Sequence, residues 1–284
     1  MKMLKKISSS KMLASLCIVF ILAGCNGPSD QNRIVNKAVA DSINREISLS
    51  PESQILLNNF PTPFEVTALL IKAKAGYSFD IANTPDWVDN YNTEMSKALN
   101  LGVYSADLCY SVTYKRIDET NKFLACTNKL ADELGIAGVY DKTLMDKFKK
   151  NDNNNEEMIA LVKNLFRNSN DFLSKNNRTQ VAVMVVSGAF TEGIYLAASA
   201  AVTSVFDNSQ ILAVIAAQKE NYEKLTAILS AYNSDPKMKS LADDMATLKP
   251  IWIPVAVAPG KKVSREQAEK IFDLAGSVRD KMVK

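Results

Sequence analysis

From residue 63 to the carboxyl end, apolar residues recur every three or four positions and almost nowhere alternate with polar ones. That is the period of helices packed on a common core, not of sheet strands. Pro51, Pro61 and Pro63 punctuate a loop ahead of the first long helix. Thr62 and Glu65 stand at capping-box spacing, Pro63 suits the first helical position, and Gly76 marks the end. Thr84-Pro85-Asp86 repeats the start signal. Helices are predicted over 85–97, 98–116, 118–134, 141–150, 155–175, 178–206, 208–232, 236–248 and 264–283. Gly135, Gly138, the polar run Asn151 to Asn155 and Asp235-Pro236 supply the breaks. In the last helix Ser264 and Gln267 form a capping box, and Ala268, Ile271, Phe272, Ala275, Val278 and Met282 make one apolar stripe. Residues 250–259 are apolar but punctuated by prolines, which predicts an extended segment crossing the helical body. The predicted fold is all-α, a single bundle-like domain of about nine to eleven helices over residues 51–284.

The stretch Val181 to Phe206 is long enough to cross a bilayer, but Glu192 stands near its middle. Burying that carboxylate at mid-bilayer costs roughly 2.5–3.5 kcal/mol on an insertion scale. Gly188 and Gly193 weaken the helix further, and its alanines suit close packing, so a central buried helix is expected. Gly102-Val103-Tyr104 and Gly193-Ile194-Tyr195 raise a degenerate duplicated hairpin as an alternative to chance likeness between Ala-rich helices.

The amino terminus follows a different pattern. Four lysines (Lys2, Lys5, Lys6, Lys11) precede an apolar run from Met12 to Leu22, in the order of a signal peptide and too short for a permanent span. Leu22-Ala23-Gly24-Cys25 closes it with the small pair and cysteine that the lipoprotein modification pathway reads. Residues 1–24 are therefore expected to be removed and Cys25 lipidated, with several acyl chains that hold where one would not. Residues 25–50 then comprise the lipidated cysteine, a polar tether over 26–33 and a short amphipathic helix carrying Ile34, Val35, Ala38, Val39 and Ile43. Asn26 in place of Asp favours outer-membrane sorting, facing the periplasm. Only Asp30 stands where surface export would ask for an acidic cluster. Ser42, in Asp41-Ser42-Ile43, fits the envelope O-glycosylation pattern of Bacteroidota.

Composition narrows the chemistry. The full chain has 34 basic and 31 acidic residues, but the signal takes four lysines with it and leaves 30 against 31. Global charge thus gives no case for nucleic acid. The chain contains no histidine, which excludes Ser-His-Asp and Cys-His catalysis and His-ligated zinc or haem. Of four cysteines, Cys17 leaves with the signal and Cys25 takes lipid. Cys109 and Cys126 remain, too few to hold a metal alone, so no metal or cofactor is called for. With a turn near Ile117 the two should sit level across a hairpin, either as a disulfide or as buried unbridged thiols.

Several phrases recur together: Ala98 to Leu108, Leu130-Ala-Asp-Glu-Leu-Gly-Ile136, Glu192-Gly-Ile-Tyr-Leu-Ala197 and Ile215-Ala-Ala-Gln-Lys219. Over residues 60–250 the chain resembles a group of uncharacterised all-helical lipoproteins of Bacteroidota bacteria. The resemblance implies an all-helical fold and an envelope address, and no activity.

The candidate site rests on acids in apolar helices. Asp107 and Glu192 each need a partner if buried. Tyr104 and Tyr195 lie one turn away on the same faces, and Gln218 is a further polar residue in an apolar run. These five mark either a polar-ligand pocket within the bundle or a hydrogen-bond network that fixes helix register. Two functional classes follow. One is a non-catalytic binding or scaffold module, with an unknown protein or small-molecule partner and a lipid anchor in the membrane. The other is a carboxylate-dependent enzyme, glycoside hydrolase or lyase-like, using Asp107 and Glu192.

Overall fold

The computed structural model describes residues 49–140, 146, 148, 154–204, 209–252 and 263–284. Cys25, Ser42, the signal, the tether, the helix expected over 34–43, most of that expected over 141–150 and the stretch 253–259 lie outside the described residues. Those described are all-α, with no strand among them. Ser50 caps α1 (Pro51–Asn58) by accepting from the Ser53 amide at 3.2 Å, with Pro51 in the first turn. The loop expected there is thus a helix. α2 (Pro63–Lys72) starts where predicted, but the Thr62 hydroxyl donates to the Glu65 carboxylate and caps no backbone amide, so no capping box forms. It ends at Lys72, ahead of Gly76.

The helix expected over 85–97 is two elements. Pro85–Asn90 is a 3-10 turn, and Tyr91 leaves the helical region with φ −85° and ψ 103°. Thr93 and Ser96 then form a capping box that opens α3 (Glu94–Thr113) four residues before the expected start. α4 (Ile117–Glu133) returns antiparallel, with Lys115 at φ 58° in the turn, and Gly135 (φ 70°) leads the chain out of it. α5 (Asn155–Lys175), capped by Asn154, and α6 (Thr179–Thr203) follow. Next come α7 (Ser209–Ser230) and α8 (Pro236–Ala246), the latter capped by Asp235. A single turn α9 (Lys249–Trp252) makes the start of the expected extended segment helical. α10 (Arg265–Val283) keeps its predicted Ser264–Gln267 capping box.

α6 is apolar on all sides and 94 % of its most apolar window is buried, so it is the core helix that the other elements surround. It packs against α3 most extensively and then against α10, with α2, α5 and α7 completing its sheath. α3 and α6 approach until backbone meets backbone. A Cβ added to Gly102 would overlap the Val185 carbonyl oxygen, and one added to Gly188 would overlap that of Leu99. Gly188 therefore permits the crossing rather than merely weakening a helix. Gly193, matched with Gly102 in the duplication reading, has only a Val66 methyl 3.9 Å from its added Cβ, so the two glycines do not play corresponding parts.

The α3–α4 hairpin also corrects the cysteine register. α3 ends at Thr113 and α4 begins at Ile117, which centres the turn on Lys115. Cys109 then stands six residues before the centre and Cys126 eleven after, a height difference of about 7.5 Å at 1.5 Å per residue. Both thiols are free and buried, and Cys126 rests against the Pro85 carbonyl at 3.7 Å. Burial pushes the Cys126 thiol up to about 12 and the Cys109 thiol higher still. The folded mature chain is accordingly expected to leave both thiols unreacted with Ellman's reagent, and guanidinium to release two. Immediate reaction of either in the native state would contradict this packing.

Candidate functional site

Three helices deliver one charged side chain each to the same interior point. α3 is buried without interruption from Ala98 to Thr113, so Asp107 has no route to solvent. α6 is buried all round, and Glu192 near its middle is 0 % exposed. α10 is amphipathic, and Arg279 sits one turn after Ala275 on its buried stripe, at 8 % exposure. Arg279 Nε donates to Glu192 Oε2 in a buried ion pair. Its Nη2 donates to the Ile81 carbonyl at 3.3 Å, and its guanidinium lies 4.8 Å over the Tyr195 ring. Tyr195 in turn stacks on Phe272 at 4.9 Å. Asp107 Oδ2 accepts from the Asn83 amide at 3.1 Å. Asn83 also donates through Nδ2 to Tyr91 Oη at 3.1 Å, and Tyr104 Oη donates to the Thr84 carbonyl at 2.7 Å. Tyr91 Oη then donates to Val283 O at 3.4 Å, while Asn100 Nδ2 donates to Met282 O at 2.7 Å. Carbonyls at the end of α10, which have no intrahelical donor, are satisfied this way.

The trio holds two acids and one base, so full ionisation would leave one negative charge too many. Burial pushes the Asp107 pKa well above the usual carboxylate range and the Glu192 charge adds to it, against the opposing pull of Arg279 and the Asn83 amide. Glu192 is also a hydrogen-bonding neighbour that favours the protonated form of Asp107. As carboxylates, Asp107 Oδ1 and Glu192 Oε1 would both be buried acceptors with no donor. A proton on Asp107 satisfies the two together and leaves Glu192 as the anion facing Arg279. Burial alone would depress the Arg279 pKa, but the Glu192 charge and hydrogen bond outweigh it and raise it.

The structure therefore brings Asp107, Glu192, Tyr104 and Tyr195 into one neighbourhood and leaves Gln218 out. Gln218, on α7, donates to the Val214 carbonyl at 3.4 Å and accepts from Asn221 at 2.8 Å, and it lines an apolar crevice beside Phe60, Phe166 and Phe190. None of its hydrogen bonds reaches the acids. Arg279 and Asn83 are the members that sequence reasoning missed. Arg279 had a readable signal, since it continues the buried stripe of α10 where another apolar residue would be expected. Asn83 acts through its backbone amide and had none. Neither acid lines any of three cavities found among the described residues. Chemically, the trio can hold one proton and fix the mutual register of α3, α6 and α10, while its burial keeps substrates away. No group of His, Cys, Asp and Glu suited to a metal ion occurs among the described residues. No protein-family model, no curated protein and no solved structure matches this chain.

Proposed function

We propose that this chain is a lipoprotein of the bacterial envelope whose all-α body is a non-catalytic binding or scaffold module. Acyl chains on Cys25 hold it at the outer membrane, facing the periplasm, and the resemblance to helical lipoproteins of Bacteroidota points to the same address. The observation that carries the anchor is Leu22-Ala23-Gly24-Cys25 behind a basic and then apolar leader. Support for a body without catalysis comes from the seal over its best acid pair. A general acid must come within hydrogen-bond reach of substrate, and Asp107 and Glu192 are both 0 % exposed. In Bacteroidota cells fed a clickable fatty acid, the wild-type chain is expected to carry label. Cys25→Ala should accumulate at the unprocessed size without label, and equal labelling of the two would overturn the assignment.

A further inference from the structure

The groove between α7 and α8 contains a cavity of about 490 Å³, within the range of small-molecule sites. Its aromatic wall is Tyr222 and Trp252, stacked with ring centroids 5.9 Å apart. Leu229 from α7 and Ala242 and Ala246 from α8 supply the rest of the apolar lining, and the two alanines, one turn apart, leave the volume open. Thr226 and Ser230 donate their hydroxyl protons to carbonyls of their own helix, at 3.0 Å and 2.7 Å, so they offer only lone pairs. The rim carries both signs. Glu223 faces Lys219 at 3.9 Å and Asp243 pairs with Lys239 at 2.6 Å. Lys249, exposed at the same rim, has no ion pair among the described residues. Trp252 is 2 % exposed, and its indole N–H has no acceptor among the described residues.

We infer that this cavity binds a small amphipathic monoanion, with an apolar body against Tyr222, Leu229, Ala242 and Ala246 and its charged head at Lys249. The acids of the rim already have cationic partners, so one further negative charge is what the rim lacks. An apolar body replaces water over Tyr222, Leu229, Ala242 and Ala246, while Thr226, Ser230 and Asn233 add polar groups to the lining. The inference rests on reading the body as a binding module and gives that module a ligand class.

The test uses 8-anilinonaphthalene-1-sulfonate, an anion on an aromatic body, with the mature chain carrying Trp87→Phe so that Trp252 is its single tryptophan. Saturable one-to-one binding is expected, with quenching of Trp252 and displacement by dodecanoate. Ala246→Leu should fill the cavity and weaken binding at least tenfold, and the exposed Lys249→Glu should weaken it by a similar factor without affecting folding. The neutral analogue N-phenyl-1-naphthylamine should bind at least tenfold more weakly. Unchanged sulfonate affinity in Lys249→Glu, or equal affinity for the neutral analogue, would overturn the inference, as would the absence of saturable binding. Each result leaves the anchoring proposal standing, because Cys25 acylation reads that separately.

Discussion

Replacing Gly102 by alanine is expected to lower the unfolding free energy by about 2 kcal/mol, although alanine is the better helix former. In an otherwise unhindered helix the exchange would gain about 1 kcal/mol from propensity. Here the new Cβ would overlap the Val185 carbonyl oxygen and lie 2.7 Å from the Ala189 nitrogen. Both are backbone atoms of the central helix, so neither can swing aside. α3 must instead back away from α6 along the largest helix pair of the core, and overpacking of that kind typically costs about 1–3 kcal/mol, occasionally more. Gly188→Ala should behave alike, since its Cβ would lie 2.8 Å from the Leu99 carbonyl carbon and closer still to the oxygen. Gly193→Ala is the control. Its Cβ meets only the Val66 side chain at 3.9 Å, so the propensity gain should survive and leave stability unchanged or slightly raised. Urea unfolding followed by far-UV circular dichroism reads all three, and a Gly102→Ala midpoint close to wild type would show that the helix pair does not depend on this contact.

Capping side chains made α5 and α10 legible along the chain, whereas α1, capped by Ser50, was read as loop and the Thr93–Ser96 box that opens α3 was missed. α5 matches its expected span of 155–175, with Asn154 capping it from the polar run. α10 begins at the capping box read from Ser264 and Gln267. Ser50-Pro51-Glu52 and Thr84-Pro85-Asp86 carry nearly the same start signal, yet the first opens an α-helix and the second only a 3-10 turn. The difference lies at Tyr91, whose hydroxyl reaches the Val283 carbonyl at 3.4 Å, 192 residues further along the chain. A tertiary contact there overrides a local preference. Asp107 and Glu192 stood out because an acid in an apolar helix needs a partner. Arg279 was passed over although it continues the stripe read from Ala268 to Met282, four residues after Ala275, where a charge also needs a buried partner. Gln218 misled for the opposite reason, since a neutral amide satisfies itself on its own helix and needs no distant partner.

Removing Arg279 should destabilise the fold strongly, and removing the charge of Asp107 should not. Arg279→Met keeps length and apolar bulk but leaves Glu192 as a buried anion beside a second acid. Losing one partner of a buried pair costs about 3–5 kcal/mol. Asp107→Asn keeps the shape, can accept from the Asn83 amide through Oδ1 and offers an Nδ2 donor in place of the acid proton. The two proteins should then differ in pH dependence. The Asp107 pKa is raised in the folded state, so its contribution is fully present below the unfolded value of about 3.9 and falls as pH rises toward the folded value. Over that window the wild type should lose about 1.4 kcal/mol per pH unit relative to Asp107→Asn. Apart from Glu192, which stands beside position 107 in both proteins, the titratable groups that sense this charge do not confound the comparison. Tyr77, Tyr104 and Tyr110 and the thiols Cys109 and Cys126 all have raised pKa values and stay neutral there, and the Arg279 pKa is raised too. Urea midpoints for the two proteins between pH 4.5 and 7 decide the matter. Parallel pH profiles would mean that Asp107 carries no proton in the fold, and its unpaired Oδ1 would then need another donor.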